Sequence, residues 1–152
     1  MKYKWYDLSH VYEEGMVEGY GHMPFKTEHV TNVTGSRITN ITMNSHSGTH
    51  IDAPYHLVNN GITIDLIPPE FFYGFAAILN VPKNELEPIT YEDIKNNSSL
   101  LEKADFVFIR TGWEDQWGKE LYTWKYPYIL PEAANLLTKF KIRIVGIDTM
   151  SP

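Results

Sequence analysis

Residues 46–56 read HSGTHIDAPYH, a stretch that places three histidines and one aspartate on a chain interrupted by a glycine and a proline. Glycine relaxes the backbone and proline removes a hydrogen-bond donor, so this stretch is a poor candidate for a regular helix. Imidazole nitrogens and carboxylate oxygens are ligands that divalent metal ions take in proteins. The stretch therefore predicts a metal site at a bend of the backbone.

The spacing of His46, His50 and Asp52 favours a bent, extended backbone. On an extended chain, residues two apart share one face and lie roughly 7 Å apart, so His50 and Asp52 can converge. His46 joins them only if the chain bends before residue 50, where Gly48 lies. A helix is the alternative, but it would bring only the two histidines together, and Pro54 would disrupt it. We predict the bent, extended arrangement.

Two imidazoles and one carboxylate make an incomplete ligand set, which is typical of a catalytic site on Zn²⁺ or Mn²⁺. Such an ion can lower the pKa of bound water to about 7 and polarise a carbonyl oxygen. His56 is then available to move a proton between that water and a leaving group, a step that contributes roughly 10²–10⁴-fold. We predict that His46, His50 and Asp52 bind the metal and that His56 is catalytic.

The composition excludes several classes of protein. The chain has 152 residues, enough for a hydrophobic core, and we expect one domain over residues 1–152. A net charge of −6 argues against a nucleic-acid partner and against attraction to anionic membranes. Cysteine is absent, so a metal must bind nitrogen and oxygen ligands.

No stretch has the pattern of a signal peptide or a bilayer-spanning segment, so we expect a cytoplasmic protein. The other histidines, predicted to be surface or core residues, are His10, His22 and His29.

Apolar and β-branched runs separated by turn residues predict a series of strands and two short helices. The predicted strands cover residues 6–11, 37–45, 76–81, 105–110 and 142–148, the helices cover 91–96 and 132–140, and 12–29 is predicted to be a loop. Asn60-Gly61 predicts a hairpin turn, and Thr90 offers an N-cap for the first helix. A strand-rich first part followed by alternating helix and strand predicts an α/β fold with a mixed sheet and few helices.

The stretch HSGTHIDAPYH resembles the His-x-Gly-Thr-His-x-Asp-x-Pro-x-His motif of the cyclase-like metal-dependent hydrolases, the family of bacterial kynurenine formamidase and isatin hydrolase. YDLSHVYEEGM (6–16), FIRTGW (108–113) and VGIDTMSP (145–152) are similar to flanking segments of that family. The resemblance implies a swivelling β/β/α fold and a homo-oligomer, either a dimer or a tetramer. It also implies hydrolysis of a small amide with zinc or manganese.

The resemblance also implies roles for individual residues. It makes His46, His50 and Asp52 the ligands of the first metal ion, and His56 an acid/base or a ligand of a second ion that Asp52 would bridge. One or two ions are therefore expected. Family members continue beyond the Gly-Ile-Asp-Thr strand and supply a further histidine and glutamate there. This sequence has no histidine after His56, so we expect a domain that is incomplete at its C-terminus.

Three further residues are candidates for substrate binding. Arg110 follows a predicted buried strand, where α/β folds place ligand groups, and could hold a substrate carboxylate or be a solvated charge. Tyr20 and Phe25 lie in the early loop, which is a candidate lid, and could line a pocket for an aromatic substrate. Aromatic residues of this kind also pack subunit interfaces, and we favour an interface or core role for those at 113–128.

The expected function is hydrolysis of a small amide by metal-activated water, as in an arylformamidase. N-formylkynurenine or a related cyclic amide is the expected substrate, and nucleic acids and membranes are not expected partners. The alternative is a non-catalytic metal-binding or assembly protein that lacks the C-terminal site residues. A lactonase or another esterase is a further alternative, because the same chemistry accepts oxygen leaving groups. Turnover assays on amides and esters distinguish these possibilities.

Overall fold

The computed structural model describes residues 3–152. The chain divides into two compact units, Met1–Gly61 and Ile62–Pro152. The single domain expected from the sequence therefore stays a prediction. Within residues 3–152, no helix is long and apolar enough to cross a membrane.

The first unit contains an antiparallel hairpin. Strand β1 (Lys26–Thr31) pairs with β2 (Arg37–Thr42) along its whole length. The turn between them is held by Asn32, whose side-chain oxygen accepts hydrogen bonds from the backbone of Thr34 and Ser36. The strand predicted at 37–45 is thus confirmed as a shorter element.

Two predictions on this part of the chain are wrong. Residues 6–11 are not a strand but irregular chain, with Leu8 77% exposed and Val11 74% exposed. An apolar run becomes a strand only where a neighbouring strand supplies hydrogen bonds, and residues 6–11 pair with none of the described strands. Conversely, the end of the predicted 12–29 loop is part of a strand, β1. Its polar sequence forms a strand because β2 supplies the hydrogen-bonding partner.

The predicted hairpin at Asn60-Gly61 is also wrong. Asn60 does adopt the left-handed conformation that such turns use, with a φ of 60°. The flanking segments, however, are single turns of 3₁₀-helix, Pro54–His56 and Ile64–Leu66. Pro54 lacks the N–H that a strand ladder needs, and its fixed φ suits the start of a helical turn. Gly61 packs against the Pro54 carbonyl, where a Cβ would lie 2.7 Å from the oxygen.

The second unit is built on a three-stranded parallel sheet. Its strands are β3 (Ala76–Asn80), β5 (Phe106–Arg110) and β7 (Ile144–Ile147), with β5 in the middle. A short parallel pair is formed by β4 (Pro88–Ile89) and β6 (Tyr128–Ile129). The helices are α1 (Tyr91–Lys95), α2 (Ser98–Leu101) and α3 (Pro131–Leu137). The strands predicted at 76–81, 105–110 and 142–148 and both predicted helices are confirmed.

The core of this unit lies between one face of the parallel sheet and the helices. Leu79 of β3 and Val107 and Ile109 of β5 are buried there against Ile94 of α1 and Leu136 of α3. Burial of each such aliphatic side chain contributes about 1.5–3 kcal/mol. Continuous apolar sequence in β5 reflects its central position in the sheet.

Local sequence signals place the helix starts. Thr90 caps α1, and its hydroxyl accepts the N–H of Asp93 while the Asp93 carboxylate accepts the N–H of Thr90. This reciprocal capping box satisfies two backbone donors that a helix start leaves free. Pro131 opens α3 at a position where its missing N–H costs nothing. The α/β class with few helices is therefore confirmed, with parallel and antiparallel pairings in separate sheets.

The ends of β5 and β7 are joined through one carboxylate. Asp148, directly after β7, accepts hydrogen bonds from the backbone N–H groups of Thr111, Gly112 and Trp113 at 2.8–3.1 Å. The Thr111 hydroxyl donates to the same carboxylate at 2.7 Å. The half-buried carboxylate of Asp148 thus accepts four hydrogen bonds, which hold residues 111–113 in place after β5.

A second carboxyl group shares this position. Burial alone would raise the pKa of Asp148, but hydrogen bonds from Glu114, Thr111 and Gly112 outweigh burial and lower it. The hydrogen bond to Asp148, together with burial, raises the pKa of Glu114, and the bond from Arg110 opposes that rise. Oε2 of Glu114 is buried and faces no hydrogen-bond donor among the described residues.

We predict that Asp148→Asn lowers the free energy of unfolding at neutral pH by about 1–3 kcal/mol, because an amide cannot accept all four hydrogen bonds. The lowered pKa of Asp148 contributes stability that is present above the unfolded-state pKa, near 4, and is lost as pH falls through the folded-state pKa. The difference in the free energy of unfolding between the variant and the unchanged chain should therefore become smaller below about pH 4. Urea unfolding followed by tryptophan fluorescence measures it, with exposed Glu102→Gln as the control; an equal difference at every pH would contradict this role of Asp148.

Candidate metal centre

The backbone of residues 44–50 forms the bend that the sequence predicts. Asn44 begins it, because its side-chain oxygen accepts the N–H of His46 at 2.7 Å and its carbonyl accepts the N–H of Ser47. Gly48 continues it with a φ of 58°, a left-handed conformation that glycine adopts without strain. The predicted bend at Gly48 is therefore confirmed.

The absence of a side chain at Gly48 also allows Tyr12 and Met16 to pack closely against the backbone. A Cβ there would lie 2.9 Å from Cζ of Tyr12 and 3.1 Å from Cε of Met16. The Tyr12 hydroxyl lies 2.7 Å from the Ser47 carbonyl oxygen and 3.2 Å from that of Thr49, so it donates to the bend on both sides of the glycine. The early loop thus supports the bend through the side chains of Tyr12 and Met16.

Three potential ligand atoms converge after this bend. Nδ1 of His46 lies 2.9 Å from Oδ1 of Asp52 and 3.1 Å from Nε2 of His50. Nε2 of His50 lies 3.3 Å from the same Asp52 oxygen. Two ligands bound to one ion at about 2.0–2.1 Å lie about 3 Å apart when their bonds meet at an angle near 90–105°. The three separations therefore fit a single divalent ion.

Hydrogen bonding within the cluster also favours a cation. Nδ1 of His50 lies 2.9 Å from the Gly48 carbonyl oxygen, which accepts its proton. In a neutral imidazole, Nε2 of His50 then carries a lone pair and faces the Asp52 carboxylate, another acceptor. A positive ion between them satisfies both groups, and a backbone carbonyl behind a ligating histidine is the usual way to fix its tautomer. All three side chains are partly exposed, which leaves room for water and substrate.

His56, the predicted catalytic residue, lies beside this cluster. The single 3₁₀ turn Pro54–His56 carries it, and its ring centroid is 4.3 Å from that of His46. It does not join the three atoms that lie within 4.8 Å of one another. Its place next to the ligands suits a group that exchanges protons with molecules bound there.

A fourth imidazole, which was not predicted from the sequence, lies near the site. The ring centroid of His22 lies 5.8 Å from that of His46, with the ring planes 33° apart. The His22 ring lies over Gly19, where a Cβ would be 2.7 Å from Nδ1. Glycine at 19 was the available signal, because it permits the ring to fold back along the loop. The proximity of His22 to His46 could not be predicted, because the two residues are far apart in the sequence.

Two of the predicted substrate-binding residues lie in the same unit. Phe25 is 8% exposed and packs its ring edge-on to Tyr12 at a centroid distance of 5.6 Å. Tyr20, by contrast, is 86% exposed on the surface of the loop. Phe25 thus takes part in packing the loop that supports the bend, while Tyr20 is accessible. Their roles in substrate binding stay predictions.

The third predicted substrate-binding residue, Arg110, lies in the second unit at the end of β5. Its Nε donates to Oε1 of Glu114 at 2.6 Å, and the side chain is 56% exposed. The hydrogen bond to Glu114 and the charge of that carboxylate raise the pKa of Arg110. Arg110 therefore already has an anionic partner, and its binding of a substrate carboxylate stays a prediction.

Similarity to known proteins identifies the family of the chain. The model of the Cyclase family, described as "Putative cyclase", matches residues 6–152. The chain belongs to the cyclase family. The resemblance carried by HSGTHIDAPYH is thereby confirmed.

Several relatives are similar over most of the chain. Kynurenine formamidases of Bacillus cereus and Geobacillus thermodenitrificans are each 30% identical over 97% of this chain and 69% of their own length. A protein of Haemophilus influenzae, described as "Uncharacterized protein", is 32% identical over 71% of this chain and 78% of its own. These similarities support a hydrolase.

A solved structure supports the same fold. It is described as "The Structure Of Potential Metal-Dependent Hydrolase With Cyclase Activity" and superposes with a TM-score of 0.74 at 29% identity. The match covers 95% of this chain and 67% of that one. Together with the His46, His50 and Asp52 cluster, it points to a metal ion in this cyclase family member.

We predict that His50→Ala and Asp52→Ala each abolish stoichiometric binding of Zn²⁺ or Mn²⁺, because each removes one of three converging ligands. Equilibrium dialysis with elemental analysis measures the bound ion. His29→Ala is the matched control, since His29 pairs with Thr39 on the hairpin. Equal metal content in all four proteins, the unchanged chain included, would contradict the assignment.

We also predict that Gly48→Ala destabilises the chain more than Gly35→Ala does. Both glycines have a positive φ, which costs an alanine about 1–2 kcal/mol. Only at Gly48 would the new methyl group meet Tyr12 and Met16, whereas the space around Gly35 is open. Thermal unfolding and metal titration of both variants measure the difference. An equal loss of stability in the two variants, or weaker metal binding in Gly35→Ala than in Gly48→Ala, would contradict the role of the bend.

Proposed function

We propose that this cyclase family member is a metal-dependent amidohydrolase that cleaves a small aryl formamide, with N-formylkynurenine as the first candidate substrate. The observation that carries the proposal is the convergence of His46, His50 and Asp52, with the His56 ring directly beside them. The kynurenine formamidases among the relatives support the choice of substrate.

The donor set supports zinc or manganese as the ion. Two imidazole nitrogens and a carboxylate oxygen suit both metals, and the chain contains no thiolate that would select otherwise. When bound, such an ion supplies polarisation of the amide carbonyl and an acidified water molecule. The side chains of His46, His50 and Asp52 would hold it.

The residues of the chain supply orientation and proton transfer. The Gly48 carbonyl fixes the His50 ring, so that its second nitrogen faces the ligand cluster. Hydrolysis adds water to the formyl carbon and breaks its bond to nitrogen, which releases formate and a free arylamine. The departing nitrogen needs a proton, and His56 is the group beside the cluster that can deliver it.

Esters and lactones are a second substrate class, since an oxygen leaving group needs less help from an acid than an amide nitrogen does. We propose the amide because kynurenine formamidases recur among the relatives. A small-molecule substrate and a homo-oligomer are also part of this proposal.

We predict that the metal-loaded chain hydrolyses N-formylkynurenine and that His56→Ala lowers kcat by roughly 10²–10⁴-fold, because the leaving nitrogen loses its proton donor. Kynurenine formation followed by absorbance gives the rate, and metal content is measured on the same sample. A His56→Ala variant that retains its metal but loses turnover is the expected result.

His29→Ala is again the control and should keep full turnover. Metal binding without turnover on aryl formamides, cyclic amides and lactones would contradict the enzyme and favour a metal-binding or assembly protein. Unchanged kcat in His56→Ala would remove the proton-transfer role from that residue while leaving the hydrolase in place.

A further inference from the structure

A carboxylate lies behind the bend that carries the ligands. Ser47, between His46 and Gly48, is fully buried, and its hydroxyl lies 3.2 and 3.3 Å from the two oxygens of Glu18. A buried hydroxyl needs a partner, since an unpaired one costs about 1–3 kcal/mol. Glu18 is the acceptor for the Ser47 hydroxyl, whose oxygen also accepts the backbone N–H of Asn44 at 3.3 Å.

The same carboxylate ties two further segments to the bend. Oε1 of Glu18 accepts the backbone N–H of Phe25 at 3.0 Å. Oε2 lies 3.5 Å from the side-chain nitrogen of Asn44, which also donates to the Met23 carbonyl at 3.1 Å. The segment 18–25, which contains His22, is thus held against the bend through the side chains of Glu18 and Asn44.

A short path leads from this carboxylate to a metal ligand. Glu18 contacts Asn44 and Ser47, the residues on either side of the turn that presents His46. The side-chain oxygen of Asn44 accepts the N–H of His46 at 2.7 Å, so the orientation of the amide group decides where that backbone lies. Nδ1 of His46 is in turn 2.9 Å from Asp52, so small shifts of the turn change the separation of the ligands.

We propose that Glu18 is a positioning residue for the metal centre, which holds the turn at 44–47 so that His46 meets His50 and Asp52; this inference rests on the proposed function. Glu18 is not one of the three converging ligands, and it acts through its contacts with Ser47 and Asn44. A carboxylate suits the task because it can accept from three donors at once, whereas an amide turns an N–H group toward one of them.

The chain offers a matched comparison in Glu14. Its carboxylate accepts the backbone N–H of Thr27 at 2.7 Å and the Thr27 hydroxyl at 3.0 Å. These are the same kinds of bond that Glu18 makes with Phe25 and Ser47. Thr27, however, lies on β1 and not in the turn that carries the ligands. Replacing either Glu14 or Glu18 should therefore lower the stability of the loop. Only the replacement of Glu18 should also lower the affinity for the metal.

The experiment measures the Kd of Zn²⁺ by competition with a chromophoric chelator on the unchanged chain, Glu18→Gln and Glu14→Gln. We expect Glu18→Gln to weaken binding about 10–100-fold, as changes behind metal ligands typically do. Glu14→Gln should bind as the unchanged chain does. The visible absorption spectrum of bound Co²⁺ is the second readout, and it should change only in Glu18→Gln because only there does the ligand geometry relax.

Ser47→Ala is the second variant, and it covers the case in which Glu18→Gln does not fold. It removes the hydroxyl but no charge, and it should weaken Zn²⁺ binding in the same direction. The double variant should lose less affinity than the two single losses combined, because the residues act through one contact.

The outcomes separate this proposal from the proposed function. An unchanged chain that binds no Zn²⁺ contradicts the proposed function and, with it, the role of Glu18. Tight binding by the unchanged chain that survives both Glu18→Gln and Ser47→Ala overturns the positioning role and leaves the proposed function standing. Equal weakening in Glu18→Gln and Glu14→Gln also overturns it, since stability of the loop would then explain the effect.

Discussion

The candidate metal centre depends on one conformational constraint, the left-handed backbone at Gly48. Without that reversal, His46 would lie roughly 13 Å from His50 on an extended chain, too far to share an ion. The reversal is held from outside, by the Tyr12 hydroxyl on the carbonyls that flank the glycine and by packing of its ring where a Cβ would be. A glycine and a distant tyrosine thus convert a local spacing into a three-ligand cluster.

Several residues behind the candidate ligands orient the ligand side chains and do not themselves bind the ion. The Gly48 carbonyl fixes one imidazole, and the Asn44 amide fixes the backbone of another. Glu18 connects Asn44 and Ser47 to the early loop. Such supporting groups matter because a site that is loose by about 1 Å loses much of its function. The early loop, which sequence composition presents as a polar connection, is therefore part of the structure of the site.

What the sequence predicted well were features set by neighbours along the chain. The bend at Gly48, the cap at Thr90 and the apolar central strand β5 depend on residues within a few positions of one another. The errors were of the opposite kind. Residues 6–11 have a strand-like pattern but no strand partner among the described residues, and β1 has a polar pattern but a partner in β2. His22 and Glu18 were missed because they reach the turn from more than 20 positions away.

The central claim is that a divalent ion in this cluster makes the chain a hydrolase. The most direct test titrates the metal-free chain with Zn²⁺ or Mn²⁺ and follows bound ion and N-formylkynurenine turnover in the same samples. We expect turnover to rise in step with bound ion, to disappear with a chelator and to return when the ion is restored. Full turnover before any ion is bound, or a saturated metal site with no turnover, would contradict the claim.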